Sequence, residues 1–431
     1  MENESYKNGC IEYDVNKNYE AAYKLFEQSN DEGNTFGKYK LAFLLIRGHG
    51  TKRNFERAFY LLKECTSVGF VPAMSELGIM YQVKLIQKFL KIFFSKWGYF
   101  VEKNIEKAVH YYRVAIDKND TLGHIYYARL LAYGLEIEPD VEEAIKLYEK
   151  AILDENPAAM FELAEIYEYG LGIKKDSEKA IKLYEKSAEL NYGDALVNIG
   201  LSYERGHLKK EKNINIAIEF YKKGMKRRNG RAYNCFAHCY AIGKGVEKNL
   251  KRTFEIFEEG ISLKLPECMN KMGGLYELGI FVERNFELSF KYYEMGTKEY
   301  KAQSFTCLAS AYEEGKGVKK DIKKALELYL KAGELHDEGA WSDVGKLWET
   351  GTIGKKDFKK AIEFYEKGIK LHSAYAYNSL GLMYQNGRGV KKNYKKAIEY
   401  YNRCIELKES NGMKNLGKNY FNLCFKIILF S

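Results

Sequence analysis

Cys235, His238 and Cys239 stand at i, i+3 and i+4, so a helix would set two thiols and an imidazole on one face. Those are zinc-holding donor types, but no fourth ligand follows at a spacing that closes a tetrahedral site, and small thiols suit a helix core equally well. Gly243-Lys244-Gly245-Val246 and Gly315-Lys316-Gly317-Val318 faintly resemble loops that cradle phosphates. Both follow a helical pattern where a phosphate loop follows a strand, and they recur at a fixed interval, which points to a structural turn. The other histidines are scattered, and no Ser–His–Asp set or carboxylate pair can be assembled. The chain is therefore expected not to be an enzyme, and to need neither metal nor cofactor.

Two columns of polar residues carry more. Asn234, Asn270, Thr306, Ser342 and Asn378 recur every 36 residues, each six positions before an aromatic residue. Glu168, Glu204, Glu277, Glu313 and Glu349, then Gln385, each stand one position after it. Seven positions separate the columns, two turns of a helix, so both lie on one side of it. Stacked helices would line them up as a polar ladder beside an acidic stripe. Such a face suits an extended peptide, with amides bonding its backbone and glutamates meeting its basic side chains. The residues assigned to partner binding are Asn234, Asn270, Thr306, Ser342, Asn378, Glu204, Glu277, Glu313 and Glu349. The competing reading is that each glutamate pairs with a loop lysine such as Lys174 or Lys319, because a carboxylate near a helix C-terminus opposes the macrodipole.

The elements that must position these columns come from internal repetition. The pattern Asp176-Ser-Glu-Lys-Ala180-Ile-Lys-Leu-Tyr184 has its likeness at Ala22, Ala58, Ala108, Ala144, Ala217, Thr253, Ser289, Ala325, Ala361 and Ala397, mostly 36 residues apart. Each unit predicts two helices. The first is like Ala195–Arg205, whose apolar and small positions 195, 199, 200 and 203 keep one face. A small residue in its middle (Gly200, Ala237, Gly273, Ala309, Gly345, Gly381) allows close approach of another helix. Glycines such as Gly170, Gly206, Gly243, Gly279, Gly315, Gly351 and Gly387 are placed to end it in a left-handed cap. An Asp or Asn heads every one of the eleven second helices, where its side chain can accept an orphan N–H.

The composition fits such an array. Hydrophobic residues make up 46% and charged residues 30% of the 431, enough to bury a core and stay hydrated. Four prolines against 37 glycines suit many short turns between uninterrupted helices. The net charge of +10 is spread over 69 basic and 59 acidic residues, a solvated lysine surface and not a clustered nucleic-acid footprint. No apolar run reaches the ~18 residues of a membrane span. No signal-peptide pattern follows Met1, and eight irregularly spaced cysteines show no C-x-x-C, so a cytoplasmic location with reduced thiols is expected.

The run Leu-Gly-x-x-Tyr-x-x-Gly-x-Gly-Val-x-x-Asp/Asn-x-x-Lys-Ala-x-x-x-Tyr, best kept at 199–217, 308–325 and 380–401, resembles the Sel1-like repeat, a relative of the tetratricopeptide repeat with a longer inter-helix loop. The resemblance covers residues 13 to 420 and implies an all-α, right-handed superhelical solenoid of about eleven repeats whose first helices line a concave, partner-binding surface. It implies an adaptor or scaffold for proteins or peptides, some with basic segments. The alternative it raises is a regulatory subunit of an endoplasmic-reticulum ubiquitin ligase. The absence of a leader pattern, membrane span and cysteine pairing weighs against that alternative, and the last of these also against a secreted, cysteine-rich repeat protein.

Two departures stand out. One repeat interval is 50 residues, and removing Val83–Lys96 restores the alignment without a gap. This lysine-, isoleucine- and phenylalanine-rich piece reads as an in-frame unspliced intron, its rival being a basic amphipathic insertion that meets a membrane surface or partner. The chain then leaves the pattern at the apolar tail 421–431, so the expected domains are one array over 1–420 and that tail.

Overall fold

A computed structural model describes residues 3–82, 104–134, 137–371 and 373–409. The 83–96 segment and the 421–431 tail lie outside the described residues. The chain divides into two compact units, residues 1–159 and 160–431.

Regular structure among the described residues is helical throughout. The first unit holds α1 (Glu4–Asp14), α2 (Tyr19–Asp31), α3 (Thr35–Arg47), α4 (Phe55–Ser67), α5 (Val71–Gln82), α6 (Ile105–Asp117), α7 (Thr121–Tyr133) and α8 (Val141–Leu153). The division falls in the first turn of α9 (Pro157–Tyr169). The second unit continues with α10 (Ser177–Glu189), α11 (Gly193–Arg205), α12 (Ile214–Lys226), α13 (Gly230–Ile242), α14 (Leu250–Ser262), α15 (Pro266–Leu278) and α16 (Phe286–Lys298). It ends with α17 (Ala302–Glu314), α18 (Ile322–Glu334), α19 (Ala340–Thr350), α20 (Phe358–Lys370), α21 (Ala374–Asn386) and α22 (Tyr394–Glu409). Odd helices are the first, and even helices the second, of eleven pairs. This is the expected all-α repeat architecture.

The second helices start where the Asp/Asn column predicted. Asn249 Oδ1 accepts Arg252 N–H at 2.9 Å, Asp321 accepts Lys324 N–H at 3.0 Å, and Asn393 accepts Lys396 N–H at 3.0 Å. These residues also close the loop, since each donates its own N–H to the carbonyl of the aromatic position on the first helix. Asn249 reaches Tyr240 at 2.9 Å and Asp321 reaches Tyr312 at 2.9 Å. At the other end of the turn, Gly243, Gly279, Gly315 and Gly387 cap their helices with φ of +66° to +75°. Glycine adopts that left-handed conformation without steric cost.

The core is built on the second-helix tyrosine. Tyr112, Tyr148, Tyr184, Tyr221 and Tyr365 are fully buried, each ring contributing on the order of 2–3 kcal/mol by leaving water. The mid-helix small residue makes room for it within the same repeat: a Cβ on Gly200 would lie 2.5 Å from Tyr221 Cε1, and one on Gly345 2.5 Å from Tyr365 Cε1.

Candidate protein-binding face

Within each unit a helix packs on its pair-mate and on the first helix of the next pair. Successive first helices also touch each other (α11 with α13, α13 with α15, α15 with α17, α19 with α21), and no successive second helices do so comparably among the described residues. The stack is therefore tighter on the first-helix side, where side chains between neighbouring first helices line a wall, although α17 and α19 approach less closely.

The predicted polar ladder lies in the seams of that wall. Asn234 Nδ2 donates to Glu267 O of the next first helix at 3.4 Å. Ser304 Oγ donates to Asn270 Oδ1 at 2.8 Å, and Ser342 Oγ meets Ser373 Oγ at 3.1 Å. Asn270 and Ser342 are more than nine-tenths buried, while Asn234, Thr306 and Asn378 are half-buried. Three successive members keep a buried polar atom with no hydrogen-bond partner among the protein's described atoms: Asn234 Oδ1, Asn270 Nδ2 and Thr306 Oγ1.

The glutamate column is engaged in a different way. Each carboxylate accepts from the core tyrosine hydroxyl of its own repeat: Glu168 from Tyr184 at 2.7 Å, Glu277 from Tyr293, Glu313 from Tyr329 and Glu349 from Tyr365, all three at 2.8 Å, and Glu204 from Tyr221. The residue after the next repeat's capping glycine supplies a cation. Lys244 meets Glu204 at 2.7 Å, Lys316 meets Glu277 at 2.7 Å, Arg388 meets Glu349 at 3.0 Å, and His207 lies 3.5 Å from Glu168. Burial opposes ionisation of Glu168 and Glu204, yet the hydrogen bonds from His207 and Tyr184 to the first, and from Lys244 and Tyr221 to the second, hold both carboxyls below the usual range. Glu204, Glu277 and Glu349 thus spend their charge inside the fold, through Lys244, Lys316 and Arg388 and not the loop lysines Lys174 and Lys319. Glu313 alone of the four predicted glutamates has no cation within ion-pair distance among the described residues.

Acidic residues outside both columns also face this wall. Burial, with Glu162 beside it, pushes the Glu165 carboxyl up to about 8, against the pull of Arg231. Burial and the nearby Glu313 push the Asp343 carboxyl up to about 7. Neither was singled out from sequence, because neither position repeats.

The zinc-like and phosphate-like patterns resolve as packing. Cys239 is buried in the core while His238 is exposed, so the three residues do not converge. No group of three metal-ligating side chains exists among the described residues. Gly245, with φ of +72°, lies against Ile214 and Ile218. No helix among the described residues is long and apolar enough to cross a membrane.

A stack of helix pairs with glycine-capped first helices and Asp- or Asn-capped second helices defines a Sel1-type repeat array. The Sel1 repeat family model matches eleven times, at residues 10–34, 36–64, 94–120, 122–155, 157–192, 193–226, 232–264, 266–299, 302–337, 343–373 and 374–407, and the chain belongs to that family. Among solved structures, it is similar to the protective antigen c5321 of uropathogenic Escherichia coli (19% identity, 98% of this chain and 90% of that one, TM-score 0.40). It is also similar to a Sel1 repeat protein from Oxalobacter formigenes (27% identity, 59% of this chain and 99% of that one, TM-score 0.41). A third similar structure is yeast Tom70 (12% identity, 94% of this chain and 95% of that one, TM-score 0.40). No curated protein matches the chain by sequence.

Proposed function

We propose that this chain is a protein-interaction adaptor that takes an extended partner segment along the first-helix wall of its second unit. The observation that carries this reading is the polar ladder: three successive repeats present, at one position, a buried polar atom that no described protein atom satisfies. An unsatisfied buried polar group costs about 1–3 kcal/mol, so the row marks the seams where neighbouring first helices satisfy each other least, and a partner main chain gains from the row only where it enters those seams. Glu313, a carboxylate with no cation within ion-pair distance among the described residues, adds an acidic point to the same wall, which favours a partner with a lysine or arginine side chain.

No disulfide joins any of the described cysteines, which supports work in a reducing compartment, the cytoplasm. Nothing in the wall assembles a nucleophile, base and oxyanion donors, so binding and not catalysis is the activity assigned.

The test is affinity capture of interacting proteins by the full chain, repeated with Asn234→Ala/Asn270→Ala/Thr306→Ala. Partners that drop at least tenfold on the triple variant, with helicity unchanged, support the reading. Partners retained equally by both proteins refute it.

A further inference from the structure

Six seams in the second unit join a first-helix C-terminus to the glycine-capped turn of the following repeat. Three are closed by the tyrosine–carboxylate–cation clasp described above, and a fourth by the same arrangement with His207 in the place of the cation. The other two depart from it in different ways.

At the seam between α13 and α15 every member of the clasp is apolar. Phe257 replaces the tyrosine, Ala241 the glutamate and Ile280 the cation. The next residue, Phe281, occupies the left-handed position (φ +67°) held by Gly245, Gly317 and Gly389 in other repeats. A bulky side chain there is strained. At Leu208, the corresponding residue two repeats earlier, burial offsets that strain, whereas Phe281 remains 41% exposed. Ile280 is 40%, Ile242 49% and Leu278 61% exposed. Clustered exposed apolar residues of this kind mark interaction surfaces.

At the seam between α17 and α19 the carboxylate stays but its cation is gone. Thr352 stands where Lys244, Lys316 and Arg388 stand elsewhere, and its hydroxyl is engaged with Thr350 Oγ1 at 2.7 Å. Asp343 adds a second, largely buried acidic group within electrostatic reach of Glu313, with Lys346 the only cation among the described residues also acting on it. Three equivalent seams fill this place with a lysine or arginine nitrogen and a fourth with the imidazole of His207, so the chemistry missing here is a lysine or arginine head group.

Resting on the adaptor reading, we infer that the partner segment is bipartite: a bulky apolar side chain docks on Ile242, Leu278, Ile280 and Phe281, and a lysine or arginine docks between Glu313 and Asp343. The two seams are two repeats apart. Neighbouring helix axes are separated by 8–10 Å, which makes the span about 20 Å, and an extended chain covers that in about six residues.

A phage-displayed library of random 16-residue peptides selected on the full chain tests the inference. Two variants rebuild the clasps that the fold already uses elsewhere: Ala241→Glu/Phe257→Tyr/Ile280→Lys/Phe281→Gly at the first seam, and Thr352→Lys at the second. Thermal unfolding checks that both stay folded. The expected result is enrichment of an apolar residue five to seven positions from a lysine or arginine, with synthetic copies binding each variant at least tenfold more weakly. Replacing the peptide's basic residue by alanine should then cost nothing further on Thr352→Lys. Enriched peptides that lack this spacing, or bind both variants within twofold of the parent, overturn the inference; if they are lost instead on the Asn234/Asn270/Thr306 triple-alanine variant, the adaptor reading stands without it. Failure of any peptide to enrich on the parent chain overturns both.

Discussion

The charge of the glutamate column is largely consumed at the level of single residues. A carboxylate at the end of a helix is electrostatically misplaced, and the tyrosine hydroxyl together with the following repeat's cation compensates it. Lys316 and Glu277 are both partly solvated, so Lys316→Ala should cost under about 1 kcal/mol. Glu277→Ala strands the hydroxyl of buried Tyr293 and should cost more, about 1–2 kcal/mol. Urea unfolding of the two single variants and the double one checks both the order and the coupling. Asp343 gives a pH signature. Its folded carboxyl titrates at about 7 against an ordinary value of 3.8, so the folded state holds the proton more tightly than the unfolded chain. Its contribution to stability therefore falls as pH rises from about 4 to 7. Asp343→Asn should flatten that part of a stability-against-pH curve, and an unchanged slope would show that the group titrates normally.

The helices and turns were the most legible part of the sequence. The period, the glycine stops and the Asp/Asn starts are local signals, each tied to a backbone group that must be satisfied within a few residues. The loop-closing bond from the Asp/Asn N–H back to the aromatic carbonyl was hidden, because it joins positions nine or ten apart through the turn. The clasps were hidden more deeply. Their members stand 16 and about 39 residues apart, a relation that exists only after helices of two repeats have packed. The ladder residues were found, but their place in the seams was not, since spacing shows a shared helix side without showing what covers it. Two substitutions test the turns. Asn249→Ala removes the cap from α14 and should cost about 1 kcal/mol, seen as a lower urea midpoint. Gly317→Ala should cost at least as much, because φ is +70° and a Cβ would meet the backbone of Phe286 at 2.0 Å from its carbonyl oxygen.

For the molecule as a whole, stability is a sum of neighbouring contacts, so local changes should loosen one repeat and its neighbours without unfolding distant ones. This separates structure from purpose. Most repeat positions keep the array standing, and the positions that break the pattern, Ala241, Phe257, Ile280, Phe281 and Thr352, are free to say what it binds. Sequence comparison between repeats makes those exceptions visible, but only packing reveals that four of them belong to one seam. The central claim is that a partner lies along the first helices of the second unit. Hydrogen–deuterium exchange of the full chain, with and without a captured partner, tests it most directly. The account predicts slowed exchange in the turns and last helical residues of α13, α15, α17 and α19, with the even helices unchanged. Protection confined to the even helices, or to residues 1–159, would contradict it.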